Sequence, residues 1–432
     1  MTASVGILIL GLALVNFRFS GKVPAYAPTV LCLVWGGVLV LLGSLSSRFY
    51  QPSAEALLTF LLGVAAFSIG ASQALPRRAP RFSDQLSAHL EKVNPWISRR
   101  ADRVCWFLLV TSALLLPGFF EVSSGGVTNI GASSMFQTIR RTSIITGEDQ
   151  LESSIDFWEN APILAFGSLI LSALLFRRGR IWEFRLAASF GLTALFGIAN
   201  ASNAAVVRTI LVASAILLIR RRKVPIGLTI AVGSLLVGFF FIIAWLVGKG
   251  GARPDQGFWE NIGPVFDTLI VYLVGPIAAY GQIAENPTAL GNPHNPARFF
   301  LLLISKLGGA APSSVHAEFT SIGSGFWQNA YTVYFGWVAT LGLLAVPVLM
   351  FFFGWLAATA LRRAREGSAI AALVTGYCFS AVVLSAFNDG FFLSMDYFIK
   401  MGMVVLLATY RPRSLRQGSA ASSSPRWETA RG

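Results

Sequence analysis

Runs of apolar residues separated by short polar stretches set the pattern of this chain. They cover residues 3–17, 26–43, 54–72, 104–120, 158–176, 186–201, 204–219, 224–247, 333–361, 368–387 and 391–410. A helix needs about 20 apolar residues to cross the hydrocarbon of a bilayer, and only helices and closed barrels satisfy their backbones there. The pattern therefore predicts an all-α, polytopic membrane protein of about eleven transmembrane helices, a count that follows from this run length. The first run is short. The run 333–361 exceeds the bilayer thickness and must tilt or project. A single helical domain is expected over 1–410. The tail 411–432, rich in Ser, Ala and Arg, reads as disordered.

Two polar interruptions are long, about 121–157 and 248–332. The stretch from Lys249 to Tyr331 is the longest part of the chain without a run that must cross a membrane. A loop of this length is functional or disordered. Its phenylalanines and tryptophans, from Phe258 and Trp259 to Phe326, argue against disorder, so an ordered extramembrane lid is expected. Within it, 267–284 (DTLIVYLVGPIAAYGQIA) is long enough to span. Counted alone, it would be a twelfth span and would reverse every later segment. Asp267 and the Gly275-Pro276 break favour a helix lying on the membrane surface, or a re-entrant pair with 299–307.

Composition sharpens this class. The chain is 54% hydrophobic and 12% charged, with a mean hydropathy of +0.64, against about a quarter charged in soluble domains. The net charge of +14 follows from cytoplasmic loops that collect Lys and Arg and face anionic lipid, and not from a nucleic-acid partner. The loops 18–25, 73–103, 177–185, 220–223, 362–367 and the tail hold 25 of the 34 Lys and Arg, and the alternate side holds 7. That asymmetry places the first set in the cytoplasm, the N-terminus and both long loops outside, and the C-terminus inside. The N-terminal MTASVG lacks the positive charge of a signal peptide, so the first run is expected to stay as an uncleaved span. The segment 73–103 reads as a basic helix at the lipid surface. Cys32, Cys105 and Cys378 all lie in apolar runs, with neither a disulfide framework nor metal-ligand spacing. No phosphate-binding glycine loop, zinc pattern or nucleophile elbow is present, and no cofactor is expected.

Arginine grips phosphate through a planar fork that keeps its charge at any working pH. Arg208, in NAAVVRTILVASA, lies about five residues inside its run, roughly 7 Å below the end. An intramembrane charge is costly and points to function, unless it snorkels to the headgroups. Arg140 and Arg141 stand before Glu148, Asp149, Glu152, Asp156 and Glu159, so they either bind an anion or join a local ion-pair network. Arg253 follows glycines that permit close approach to a phosphate, and a plain linker fits equally. His294, in GNPHNP, reads as structural. His316 and Glu318 are a candidate proton acceptor near neutral pH. Asp396 and Lys400 are spaced i, i+4 and neutralise each other.

Several stretches in order resemble the Wzy-type oligosaccharide repeat-unit polymerases, the O-antigen polymerases of bacterial envelopes. Asn203 to Thr209 (NAAVVRT) is similar to the family's Ser/Arg-Thr segment. Val271 to Tyr280, with its Tyr-Leu-Val-Gly-Pro core, is similar to the family's helix in the large outer loop. Asn329-Ala330-Tyr331-Thr332 heads a long run as the family's Asn-Val-Tyr-Thr does. Many members follow with Asp-Phe-Gly, whereas this chain has Phe335-Gly336-Trp337-Val338, without the acid. The resemblance covers about residues 200–410.

It implies an all-helical glycosyltransferase of the lipid-phosphosugar (GT-C-like) kind in the bacterial inner membrane, needing no metal. Its donor and acceptor would be glycans on undecaprenyl pyrophosphate, and a chain-length regulator would be a candidate partner. The resemblance also implies pyrophosphate or glycan binding by Arg208, Arg253, Arg140, Arg141, Tyr272, Tyr280, Asn329 and Tyr331. His316, Glu318 and Asp267 are the candidate bases. An O-antigen ligase, a flippase or other transporter, and a structural scaffold stay open as other readings.

Overall fold

The computed structural model describes residues 1–19, 26–74, 98–123, 155–177, 179–199, 203–219, separate helical residues between 233 and 245, 257–283, 296–310, 319–328 and 331–410. The chain is an all-α polytopic membrane protein. Its helices are α1 (Thr2–Phe19), α2 (Ala27–Ser44), α3 (Ala54–Ala74), α4 (Arg99–Ser123), α5 (Ile155–Leu174), α6 (Arg180–Ala199), α7 (Asn203–Ile219), α8 (Phe258–Ile283) and α9 (Arg298–Lys306). After the strands β1 (Thr320–Gly323) and β2 (Phe326–Gln328) come α10 (Val333–Leu341), α11 (Ala345–Arg365), α12 (Ala369–Leu384) and α13 (Met395–Thr409). Seven of the described helices are long and apolar enough to cross a membrane: α1, α2, α3, α4, α6, α8 and α11. The predicted run 224–247 falls largely outside the described residues, as does most of 121–157 and the tail.

Two buried apolar cores form. One joins α1–α3 with α8, α10 and α12 around Trp35, Phe60, Phe67, Tyr334 and Trp337. The other joins α4–α7 with α12 and α13 around Leu171, Val212, Ile216 and Met401. Helices α3 and α11 approach each other backbone to backbone. A Cβ on Gly70 would lie 2.0 Å from Phe351 O, and one on Gly354 would lie 2.0 Å from Phe67 O. Small residues let helix backbones meet where lipid supplies no hydrophobic drive. The two helices run the same way, because Arg362 Nη1 donates to Ala74 O at 3.1 Å beside their C-terminal ends. The basic Arg362–Arg365 stretch therefore lies at the same end of the bundle as the C-terminus of α3.

The opposite end is built by the α2–α3 loop, the β1–β2 hairpin and α8. Tyr50 N donates to Ile322 O at 2.9 Å, and Phe49 stacks on Phe326 at 5.6 Å. Arg48 Nη2 pairs with Asp267 Oδ1 at 3.0 Å, and Gly281 packs on Pro52. Asp267 and Gly281 are separated by about 21 Å of helix at 1.5 Å per residue, yet both meet the same short loop. By length and composition α8 could cross a membrane; by its contacts it runs across this end of the bundle.

Two differences from the sequence pattern have local causes. The expected break at Gly275-Pro276 is absent, and α8 continues through Pro264 and Pro276. Pro276 removes the N–H that would bond Tyr272 O, and the helix continues regardless; the Gln328 amide donates beside it, to Val271 O, at 3.4 Å. The 333–361 run, in turn, is two helices and not one long tilted one. Gly342, at φ 81°, ends α10 in a conformation that glycine adopts without strain, and α11 starts afresh.

Candidate functional site

Arg208 lies on the second turn of α7, where that helix meets α12 and α13. The neighbouring residue fixes its surroundings. Thr209 Oγ1 donates its single proton to Ala205 O at 2.7 Å, so the 2.7 Å contact with Tyr397 has the tyrosine hydroxyl as donor. Tyr397 is thereby pinned, and the Arg208 Cζ stands 5.7 Å from its ring centre. Such a cation–π contact is worth about 0.5–2 kcal/mol, but it uses none of the guanidinium's N–H donors. Arg208 Nε has no hydrogen-bond partner among the described residues, and no described carboxylate forms a salt bridge with it.

The floor of this site is the turn 385–394 between α12 and α13. Asp389, 6% exposed, accepts from Trp337 Nε1 at 2.9 Å, from Phe391 N at 2.9 Å and from Phe392 N at 3.0 Å. Burial pushes its carboxyl up to about 6, while the hydrogen bonds and the nearby Arg208 pull the other way. Tyr377 donates its hydroxyl to Phe391 O and stacks on Phe398 at 4.2 Å. Trp35 Nε1 reaches Ser385 Oγ at 2.8 Å, and Val333 N donates to Ser385 O at 2.9 Å. The turn is therefore tied to α2, α10 and α12 at once. A half-buried guanidinium with unspent donors, on a rigid aromatic platform, can grip an anionic oxygen pair.

No family model matches the chain, and no solved structure matches it. A curated relative does. It is an O-antigen polymerase of Shigella dysenteriae, 27% identical over 184 residues, covering 41% of this chain and 44% of the relative. The match thus spans under half the length of that protein. By its name the relative is in line with the resemblance to O-antigen polymerases read from the sequence.

Of the residues singled out in the sequence, Arg208 is the one the structure places in this cluster. Asp267 is at the loop end of the bundle, half-exposed and paired with Arg48, whose guanidinium also lies 5.6 Å from the Phe326 ring centre. No hydrogen bond, ion pair or ring contact joins Asp267 to Arg208. Tyr272 is partly exposed against Phe240, with ring centres 5.5 Å apart. Tyr280 is buried against Phe60 at 5.3 Å, and Tyr331 shares a 2.9 Å hydrogen bond with Thr320. Arg140, Arg141, Arg253, His294, His316, Glu318 and Asn329 lie outside the described residues. Lys400 bonds Asp396 at 2.8 Å and Asn160 at 2.9 Å, the mutual neutralisation expected of that pair. Sequence reasoning missed Asp389 and Tyr397, and held Thr209 only as the end of the Asn203–Thr209 motif. Asp389 stands in Phe-Asn-Asp-Gly-Phe-Phe between two apolar runs, a place where an acid gives no signal of its own.

Proposed function

We propose that this protein is a membrane glycosyltransferase that polymerises oligosaccharide repeat units carried on undecaprenyl pyrophosphate, at the outer face of the bacterial inner membrane. The observation that carries the reading is Arg208, a cation at the edge of the bundle with donors unspent, in a chain similar to an O-antigen polymerase. In the proposed reaction the bond between the donor's anomeric carbon and the pyrophosphate oxygen breaks. A new glycosidic bond forms to the non-reducing-end hydroxyl of the acceptor unit. Charge develops on the departing pyrophosphate oxygen, and a preorganised guanidinium stabilises it there. Arg253, Arg140 and Arg141 are proposed as further cations around the same pyrophosphate. Tyr272, Tyr280, Asn329 and Tyr331 are proposed to line the glycan path.

The acceptor hydroxyl must lose its proton to a base. His316 and Glu318 are the proposed acceptors, because Asp267 is held in an ion pair by Arg48. The chemistry needs no metal in this reading. The C-terminal ends of α3 and α11 are proposed to face the cytoplasm, which leaves the α2–α3 loop, the hairpin and α8 outside. A chain-length regulator is a proposed partner.

The test is the surface glycan of a strain lacking the gene. Loss of a polymerase leaves single repeat units on the lipopolysaccharide or capsule anchor. Loss of a ligase leaves polymer on the undecaprenyl carrier and none on the surface. An unchanged polymer ladder sinks both readings.

A further inference from the structure

We infer that Asp389 is the positioning residue of the Arg208 site, clamping α10 to the turn that launches α13 and so fixing Tyr397 beneath the guanidinium. The inference rests on the reading of Arg208 as an anion-binding group. Three donors from two segments converge on this one carboxylate: the Trp337 indole of α10 on Oδ2, and the Phe391 and Phe392 amides of the turn on Oδ1. The tie joins residues 52 positions apart. From the turn the chain runs directly into α13, whose third residue is Tyr397. Phe391 passes the constraint to α12, because its carbonyl accepts from Tyr377. Gly390 makes the turn possible, since a Cβ there would stand 2.8 Å from Ala381 Cα. The aromatic platform beneath the site's cation is therefore held from two sides. Thr209, the next residue along α7, pins the Tyr397 hydroxyl, and Asp389 sets where the turn and α13 begin.

A carboxylate suits this task because it accepts on both oxygens. An amide does not, because its NH2 would face the Trp337 N–H, donor against donor. Asp389→Asn keeps one oxygen for the two turn amides and loses the tie to α10. Removing the indole donor as well relieves that conflict.

The experiment titrates inorganic pyrophosphate into the purified full chain in detergent and reads binding calorimetrically, with the unfolding temperature of each variant measured beside it. Wild type is expected to bind and Arg208→Ala not to bind. Asp389→Asn is expected to bind about tenfold more weakly, the loss when the competent arrangement falls to about a tenth of molecules. Its unfolding temperature is expected to stay close to that of wild type. The double variant Asp389→Asn with Trp337→Phe is expected to return to the affinity of Trp337→Phe alone. Wild-type affinity in Asp389→Asn overturns the clamp while leaving the Arg208 reading intact. So does a double variant as weak as Asp389→Asn, or a loss of affinity that merely follows lost thermal stability. Absence of pyrophosphate binding by wild type removes the Arg208 reading and the clamp together.

Discussion

Replacing Arg208 by Lys separates a binding arginine from one that only reaches for the headgroups. The structure gives the terms of the comparison. Lysine keeps the charge and can still sit over the Tyr397 ring, 5.7 Å away in the native arrangement. It cannot present two parallel N–H donors to one phosphate. Losing a preorganised donor to developing charge costs about 3–4 kcal/mol, or roughly 100- to 1000-fold in rate. The cation–π contact is worth less, about 0.5–2 kcal/mol. Arg208→Lys should therefore lose most polymer, Arg208→Ala all of it, and Tyr397→Leu an intermediate amount. Tyr397→Phe keeps the ring and loses one hydrogen bond worth about 1 kcal/mol, so its defect should be the smallest. The assay is the glycan ladder of a deletion strain complemented with each variant, beside an immunoblot of membranes. A wild-type ladder from Arg208→Lys at normal protein level refutes the reasoning, because lysine snorkels as well as arginine does.

Asp389 predicts a pH dependence of stability with a definite sign. Its folded value of about 6 lies above the ordinary 3.8, so its contribution to stability is full below about pH 4 and is lost as pH rises through about 6. The difference is on the order of 3 kcal/mol, and denaturant titrations of wild type between pH 4 and 7 should show a decline that Asp389→Asn lacks. Gly354→Leu should strongly reduce the amount of folded protein on fluorescence-detected size exclusion, because backbone atoms of α3 occupy the space its side chain needs. The Arg48–Asp267 pair is half-exposed, so Asp267→Asn should change stability by at most about 1 kcal/mol, and a larger shift in the unfolding temperature contradicts that assessment. Cysteines at Gln282 and Arg363 should label from opposite faces of the membrane, the first with an impermeant maleimide added outside, and labelling of both from one face overturns the proposed arrangement of ends.

The helical architecture was legible because apolar runs near bilayer length admit few other structures. Arg208 was legible for the same reason, as a charge where charges are costly. Asp389 was not, because it falls in the gap between two runs and reads there as an ordinary turn acid. Its role depends on an indole far away in sequence, which no local pattern encodes. The division of 333–361 hinges on Gly342, whose positive φ is invisible among other glycines in apolar runs. The expectation that 267–284 lies on the membrane surface rested on Asp267 and a break at Gly275-Pro276. The helix instead continues through Pro276, where it packs against Gln328 of a strand that the apolar pattern does not mark.

The most direct measurement of the central claim uses the purified chain in liposomes with undecaprenyl-pyrophosphate-linked repeat units as the only glycan. The account predicts a ladder of lengthening products on the lipid, release of undecaprenyl pyrophosphate in step with each new bond, and no ladder from Arg208→Ala. Repeat units that stay single with wild-type protein, or that move only onto added lipid A core, contradict it.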